Sequence, residues 1–431
     1  MDIAKRRIVI IGLDGMPFGL IRDLAGDGTM IHTKRLIKEG TFRQMASSIP
    51  AISSVAWSSV ITGVNPGAHG IFGFTDLAPG TYRLTFPNFK SLKASPFWER
   101  EGSGRSVILN VPATFPARPL NGVQVAGFVA LDLERATYPP SLVPWLKSVN
   151  YCVDVDSQAA HQSLDLFLRN LDRTLQARVT AYRYLWDQEN WDVFMLVFTG
   201  TDRLAHFLWH AYEDEEHRYH AAFLNHLHQV DSVIGEIAQR MADEDALIVL
   251  SDHGFEALDS DVYVNFFLRE QGFLKVEANP PRRWQDIAQG TLAFALDPAR
   301  MYVNLQGKYP RGSVRPEDRV SVLEDLADAL AALEVNGKKV VRRLYRKEEL
   351  YDGPWLERAP DLVVLANEGF NLRGSIQARQ LYGRGTFTGK HSQADAFLLV
   401  RGPRSQEATP DHPCVSDVVG IMDRLRQRRW Q

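Results

Sequence analysis

Three aspartates and three histidines stand beside apolar runs at four points of this chain. Asp14 directly follows the run Arg7–Leu13 (RIVIIGL). Asp202 and His206, four residues apart, come shortly after Val193–Phe198, and Asp252 and His253 come just after Ala246–Leu250. His391, in Gly-Lys-His-Ser, precedes Ala396–Val400. If their segment is helical, Asp202 and His206 share one face and can grip a single ion. Together the set offers enough oxygen and imidazole ligands for two divalent ions. Two adjacent ions clamp the attacking and leaving oxygens of an in-line phosphoryl displacement. Such a site needs a nucleophile, and Ile49-Pro-Ala-Ile-Ser53-Ser54-Val-Ala-Trp57 supplies two candidate hydroxyls where a short helix should begin. Backbone N–H groups at a helix start also face an incoming phosphate. Taken singly, each island has a plainer reading: an aspartate after a strand caps a helix, an Asp/His pair at this spacing lies on a solvated face, and a serine before an apolar run is an N-cap. Chemistry alone does not separate Ser53 from Ser54.

The elements that must position these groups are legible as periodicity. Arg7–Leu13, Ser106–Leu109, Gly122–Ala126, Val193–Phe198, Ala246–Leu250 and Ala396–Val400 read as buried strands. Phe18–Leu24, Lys34–Lys38, Ser54–Ile61, His161–Trp186, Glu213–Met241 and a closing Val415–Arg428 read as helices. Strands alternating with helices predict an α/β layered fold around a mostly parallel sheet. Parallel strands deliver their C-terminal ends to one edge, so the islands can converge there. The stretch from about Asp261 to Gly385 differs in texture: NPPRR (Asn279–Arg283) and YPRGSV (Tyr309–Val314) read as loops, Val320–Leu333 as an amphipathic helix, and Pro360–Leu365 as a strand. It is expected to be an elaboration that shapes the substrate pocket of a single catalytic domain spanning 1–431. Ser405–His412 reads as a polar loop.

Composition narrows the classes further. The 431 residues carry 49 Lys+Arg against 52 Asp+Glu, a net charge of −3, so no basic field draws duplex nucleic acid. Two cysteines, Cys152 and Cys414, exclude a disulfide framework and a cysteine-based metal site. No apolar run reaches the 18 or so residues of a spanning helix. The basic start MDIAKRR is followed by an apolar run, Ile8–Ile11, too short for the core of a signal peptide. A cytoplasmic protein is expected.

At this point the islands form a recognisable series. Asp14, the Ser53 region followed by Thr62-Gly-Val-Asn-Pro-Gly-Ala-His69-Gly-Ile71, Asp202-x-x-x-His206, Asp252-His253-Gly254 and a late His391 resemble the alkaline phosphatase superfamily in their order. The branch most similar is the type I phosphodiesterase/nucleotide pyrophosphatase group with its prokaryotic relatives. The resemblance implies an alkaline phosphatase-like three-layer α/β fold, its mostly parallel central sheet flanked by helices. It also implies two divalent ions, zinc with manganese as the other option: one held by Asp202, His206 and His391, the other by Asp14, Asp252 and His253, with the nucleophile bridging. Counting back from Thr62-Gly63 puts that nucleophile at Ser53, where the family usually has threonine. The expected activity is metal-dependent hydrolysis of small phosphodiesters or phosphomonoesters through a covalent seryl intermediate. A phosphomutase and a non-catalytic binding protein are the alternatives. A sulfatase is disfavoured because neither Cys152 nor Ser53 lies in a C/S-x-P-x-R motif.

Other residues receive a role or a plainer reading. The family's phosphate-holding asparagine is replaced by Phe74; Asn110 could offer an amide or simply be a turn residue before Pro112. His69 is read as packing or hydrogen-bonding near its loop. His217, His220, His226 and His228 are read as a solvated helix face, and Arg203 as a surface salt bridge rather than a phosphate contact. Arg282, Arg283, Arg311 and Arg315 are read as solvated, while Trp284 and Phe294 are read as core.

Overall fold

In the structure, a computed structural model, residues 6–278 and 281–426 are described. The tip of the expected NPPRR loop (Asn279, Pro280) and the last residues of the expected closing helix (Gln427, Arg428) lie outside them. The chain divides into two compact units. The first comprises residues up to Val64, Asn88–Phe255 and the chain from His391 onward; the second comprises Asn65–Pro87 and Glu256–Lys390.

The first unit is built on an eight-stranded sheet. Its order across the sheet is Thr41–Met45, Ala396–Arg401, Ala246–Leu250, Ile8–Leu13, Val193–Phe198, Ser106–Val111, Gly122–Ala126 and Thr137–Tyr138. The five strands from Ala246–Leu250 through Gly122–Ala126 run parallel to one another. Every residue of Ile8–Leu13, Val193–Phe198 and Ala246–Leu250 is buried. A parallel strand covered on both faces needs such an unbroken apolar run, which is why these strands show no polar alternation. Each fully buried Ile, Val or Leu contributes roughly 1.5–3 kcal/mol. Helices Phe18–Asp27, Ile31–Glu39, Leu164–Gln188, Gly200–Glu213, His220–Arg240 and Val418–Arg426 flank the sheet.

Three sequence expectations change at this level. The helix expected at Glu213–Met241 starts at His220 instead, because Gly200–Glu213 ends at an extended Asp214 and no apolar periodicity runs through Asp214–Tyr219. The helix expected at His161–Trp186 breaks at Ser163, whose extended backbone and side-chain bond to the Leu166 N–H cap the helix Leu164–Gln188. Part of the polar loop expected at Ser405–His412 is a short helix, Ser405–Ala408.

The direction of Ala396–Arg401 matters most for the site. It runs antiparallel to Ala246–Leu250. A segment preceding a parallel strand would fall at the opposite edge of the sheet. Preceding an antiparallel strand, His391 instead starts from the edge where the parallel strands end. It lies in a short strand, Gly389–Ser392.

The second unit has its own core, in which Val262, Leu268, Phe294, Met301, Leu326 and Val340 are buried. A four-stranded sheet orders Ala293–Leu296, Arg300–Val303, Leu362–Ala366 and Val341–Arg346, with every pairing antiparallel. The amphipathic helix Arg319–Ala331 belongs to this unit. Phe294 is fully buried in this core, and the partly buried Trp284 packs edge-on against it.

Candidate metal centre

Strand ends bring the six Asp/His side chains together within the first unit. Asp14 leaves strand Ile8–Leu13 and its N–H bonds to the Phe198 carbonyl of the neighbouring strand (3.2 Å). Asp202 stands in the first turn of helix Gly200–Glu213, which puts His206 one turn further on the same face. Asp252 and His253 follow strand Ala246–Leu250. The ligand atoms sort into two groups, Asp202/His206/His391 and Asp14/Asp252/His253, and within each group they lie within 4.8 Å of one another.

In the first group, His391 Nε2 lies 3.1 Å from Asp202 Oδ1 and 3.0 Å from His206 Nε2. His206 Nε2 lies 3.5 Å from the same carboxylate oxygen. In the second, His253 Nε2 lies 3.6 Å from Asp14 Oδ1 and 3.4 Å from Asp252 Oδ2. The rings of His253 and His391 stack with centroids 3.7 Å apart, which makes the two groups neighbours.

Ser53 sits beside the second group. Its Oγ lies 3.3 Å from Asp14 Oδ1 and 3.2 Å from His253 Nε2. Helix Ser53–Thr62 takes Ile52 as its N-cap, with no side-chain cap bond, so the Ser53 hydroxyl is not spent on capping. Ser54 Oγ is buried and has no hydrogen-bond partner among the described residues.

The electrostatics point to a missing positive charge. Burial, then repulsion from Asp252 and Asp202, holds Asp14 well above the usual carboxylate range. Burial likewise pushes Asp252 up to about 8. Burial pushes Asp202 upward too, but His206, His391 and Arg203 together pull it below the usual range. Burial and then His391 lower His253, so its imidazole is neutral. A carbonyl can only accept, so His391 Nδ1 donates to the Ala51 carbonyl (2.9 Å) and His253 Nδ1 to that of Gly254 (3.0 Å). The Nε2 of the neutral His253 then carries a lone pair facing the Asp14 and Asp252 carboxylates, an electron-rich contact that only a proton or a cation relieves. Asp252 Oδ2, fully buried, has no hydrogen-bond partner among the described residues. Imidazoles and carboxylates converging in this way fit divalent metal ions.

Sequence reading missed several groups that hold this cluster. Trp57 Nε1 donates to Asp14 Oδ2 (3.3 Å), and Thr201 Oγ1 donates to the Asp14 carbonyl (2.7 Å). Trp57 stands one turn beyond Ser53 on the same helix, so its spacing was a usable signal. The Gly15 N–H donates to Asp252 Oδ1 (3.2 Å). Asp154 pairs with Arg203 and had no signal, since it comes from a remote loop.

Four expectations are corrected. Arg203 is not a surface salt bridge: it is largely buried, 2.9 Å from Asp202 Oδ2 and 2.9 Å from Asp154 Oδ2. Asn110 spends its amide within the sheet, donating to the Val197 carbonyl (3.2 Å) and accepting from Tyr151 (3.3 Å), in a left-handed conformation at φ 63°. His226 is buried rather than solvated, because it lies on the apolar stripe with Phe223, Leu227 and Val230. His217 precedes that helix, and its Nδ1 accepts from the Tyr219 N–H. Of the scattered arginines, Arg311 and Arg315 form ion pairs with Glu277 and Asp318, and Arg283 with Asp286. His69 belongs to the second unit, where it is fully buried and its Nδ1 accepts from the Ile71 N–H (3.2 Å). Phe74 is half-buried there.

A mostly parallel α/β sheet that gathers two Asp/His triads at the edge where its parallel strands end defines the alkaline phosphatase-like class. Within that class, the family model for type I phosphodiesterase/nucleotide pyrophosphatase matches residues 8–393, and the chain belongs to this family. It is accordingly an enzyme, a hydrolase acting on phosphoric ester bonds. No curated protein matches the chain. Among solved structures, phosphonoacetate hydrolase from Sinorhizobium meliloti in complex with phosphonoformate is similar, with a TM-score of 0.64 at 18% identity over 97% of this chain and 96% of that one. Murine ectonucleotide pyrophosphatase/phosphodiesterase 5 gives 0.57 at 14% identity over 97% and 95%. At these identities the likeness speaks for the fold. Among the described residues, no helix is long and apolar enough to cross a membrane.

Proposed function

We propose that this enzyme is a metal-dependent phosphohydrolase that cleaves small-molecule phosphodiesters, with monoesters as the neighbouring substrate class, through a covalent intermediate on Ser53. The observation that carries the reading is the Ser53 hydroxyl, placed beside Asp14 and His253 of one triad, whose His253 ring stacks on His391 of the other. Asp202, His206 and His391 would hold one divalent ion, and Asp14, Asp252 and His253 the other, with zinc favoured by the mixed imidazole and carboxylate donors and manganese as the other option. Bound there, the ions would supply positive charge to the attacking and leaving oxygens. Ser53 Oγ forms the new bond to phosphorus while the bond to the leaving oxygen breaks, and water then cleaves the seryl phosphate ester and restores the hydroxyl. Asp14 Oδ1 and His253 Nε2, which flank the Ser53 hydroxyl, would be spent on the ion they hold, so the Ser53 proton passes by way of water to the departing oxygen. The first turn of helix Ser53–Thr62 turns its N–H groups toward the incoming phosphate.

The preference for diesters follows the family. The neighbouring structures carry bound phosphonoformate in one case and AMP in another, which is in keeping with a small substrate. We read the chain as one catalytic domain in which residues 261–385 serve substrate choice. A cytoplasmic setting goes with two unpaired cysteines, Cys152 and Cys414. Elemental analysis of the purified protein, followed by a panel of diesters and monoesters, tests the proposal. It expects two divalent ions per chain and, with a slow diester, an adduct that peptide mass spectrometry locates on Ser53. Protein that turns over diesters without bound metal, or an adduct on another residue, would overturn it.

A further inference from the structure

Asp202 offers its two oxygens to two different partners. Oδ1 is the atom that faces His391 and His206. Oδ2 accepts instead from Arg203 Nη1 at 2.9 Å. The same guanidinium donates through Nε (3.1 Å) and Nη2 (2.9 Å) to Asp154 Oδ2, so its planar fork spans two carboxylates. Its position is fixed from both sides. The guanidinium carbon lies 4.2 Å from the ring centre of Phe128. Asp154 Oδ1 accepts from Thr199 Oγ1 (3.0 Å), and the buried Arg178 donates to the Val153 carbonyl (2.7 Å), which anchors the loop carrying Asp154. The Arg203 side chain is only 16% exposed, so little of its charge is left for solvent.

We infer that Arg203, held by Asp154, is a positioning residue that commits Asp202 to bind its ion through Oδ1 alone. This rests on the two-metal reading above. A carboxylate free to rotate can offer both oxygens and raise the coordination number of its ion. With Oδ2 occupied, Asp202 is a single-oxygen ligand, and the position a second oxygen would fill stays available to substrate. Residues behind the ligands commonly tune a metal site in this way.

Cobalt(II) loaded into metal-free protein reports the geometry directly, because its visible absorption is strong in four-coordinate sites and weak at higher coordination. The bands of one of the two ions should weaken markedly in Arg203→Met, with the other ion unchanged. A smaller change in the same direction is expected in Asp154→Asn, which keeps the fold-determining core intact and loosens the guanidinium. Unchanged bands in either folded variant would overturn the inference. Weaker inhibition by inorganic phosphate in Arg203→Met, with the cobalt spectrum of the wild type, would overturn it too, by making Arg203 a phosphate contact. Wild-type protein that binds no cobalt would instead remove the two-metal reading, a separate outcome.

Discussion

Ser53 and Ser54 are adjacent in sequence yet meet different surroundings. Adjacent residues of an α-helix point about 100° apart around its axis, so only one of them can face the Asp14 and His253 side chains. Ser53 does, and Ser54 Oγ is buried without a hydrogen-bond partner among the described residues. Ser53→Ala should therefore lower turnover on the order of a thousandfold or more while leaving metal content at the wild-type level. Ser54→Ala should stay within a small factor of wild type and unfold at equal or higher denaturant, since it deletes a buried hydroxyl that makes no bond. Kinetics and elemental analysis of the two variants check both statements. His391→Ala makes a companion prediction: one ion should be lost or weakly held, because Asp202 and His206 alone leave it undercoordinated. Two tightly bound ions in that variant would remove His391 from the ligand set. At this scale the sequence was informative about residue types and poor about environment. Arg203 reads as a surface charge because arginines usually are, and only the arrival of Asp154 from a distant loop makes its burial tolerable.

Among the elements, strand Ile8–Leu13 and helix Ser53–Thr62 meet at one close approach. A Cβ added to Gly12 would fall inside van der Waals contact with Trp57 Cη2 and 2.9 Å from Val197 Cγ2. That glycine lets the Trp57 indole lie against the strand and reach Asp14 with its N–H. Gly12→Ala should cost about 1–3 kcal/mol through overpacking, read by chemical denaturation. It should also weaken metal binding, since displacing Trp57 removes a donor from Asp14. An alanine variant with wild-type stability and metal affinity would show that the contact yields freely. The strands themselves were legible because a buried parallel strand leaves a continuous apolar run. The direction of Ala396–Arg401 was not, since an apolar run reads the same both ways.

For the whole molecule, pH acts through buried groups in both units. In the second unit, burial pushes His69 down to about 3, against 6.5 for an exposed imidazole. Between those values the unfolded chain binds a proton that the folded one refuses. Stability is thus fully present above about pH 6.5 and declines as pH falls toward 3, by about 1.4 kcal/mol per pH unit from this residue. His69→Gln should flatten that slope in denaturation curves measured from pH 7 to 4, at some loss of stability at neutral pH where the Ile71 contact changes. An unchanged slope would assign the acid sensitivity elsewhere.

The amino-acid sequence by itself determined the α/β alternation, the order of the Asp/His islands, and a resemblance to a family that the whole-chain comparison shares. These are properties of local periodicity and of residue type at fixed spacing, which need no knowledge of distant partners. The tertiary structure alone decided which side chains meet. It ran the strand after His391 antiparallel, turned the Ser53 hydroxyl toward Asp14, and brought Asp154 to Arg203. Each of these depends on contacts between residues far apart in the chain, 39 positions for Ser53 and Asp14, 49 for Asp154 and Arg203, and more for the paired strands. Such contacts are set by how the layers close on one another, and no short stretch of sequence carries that information.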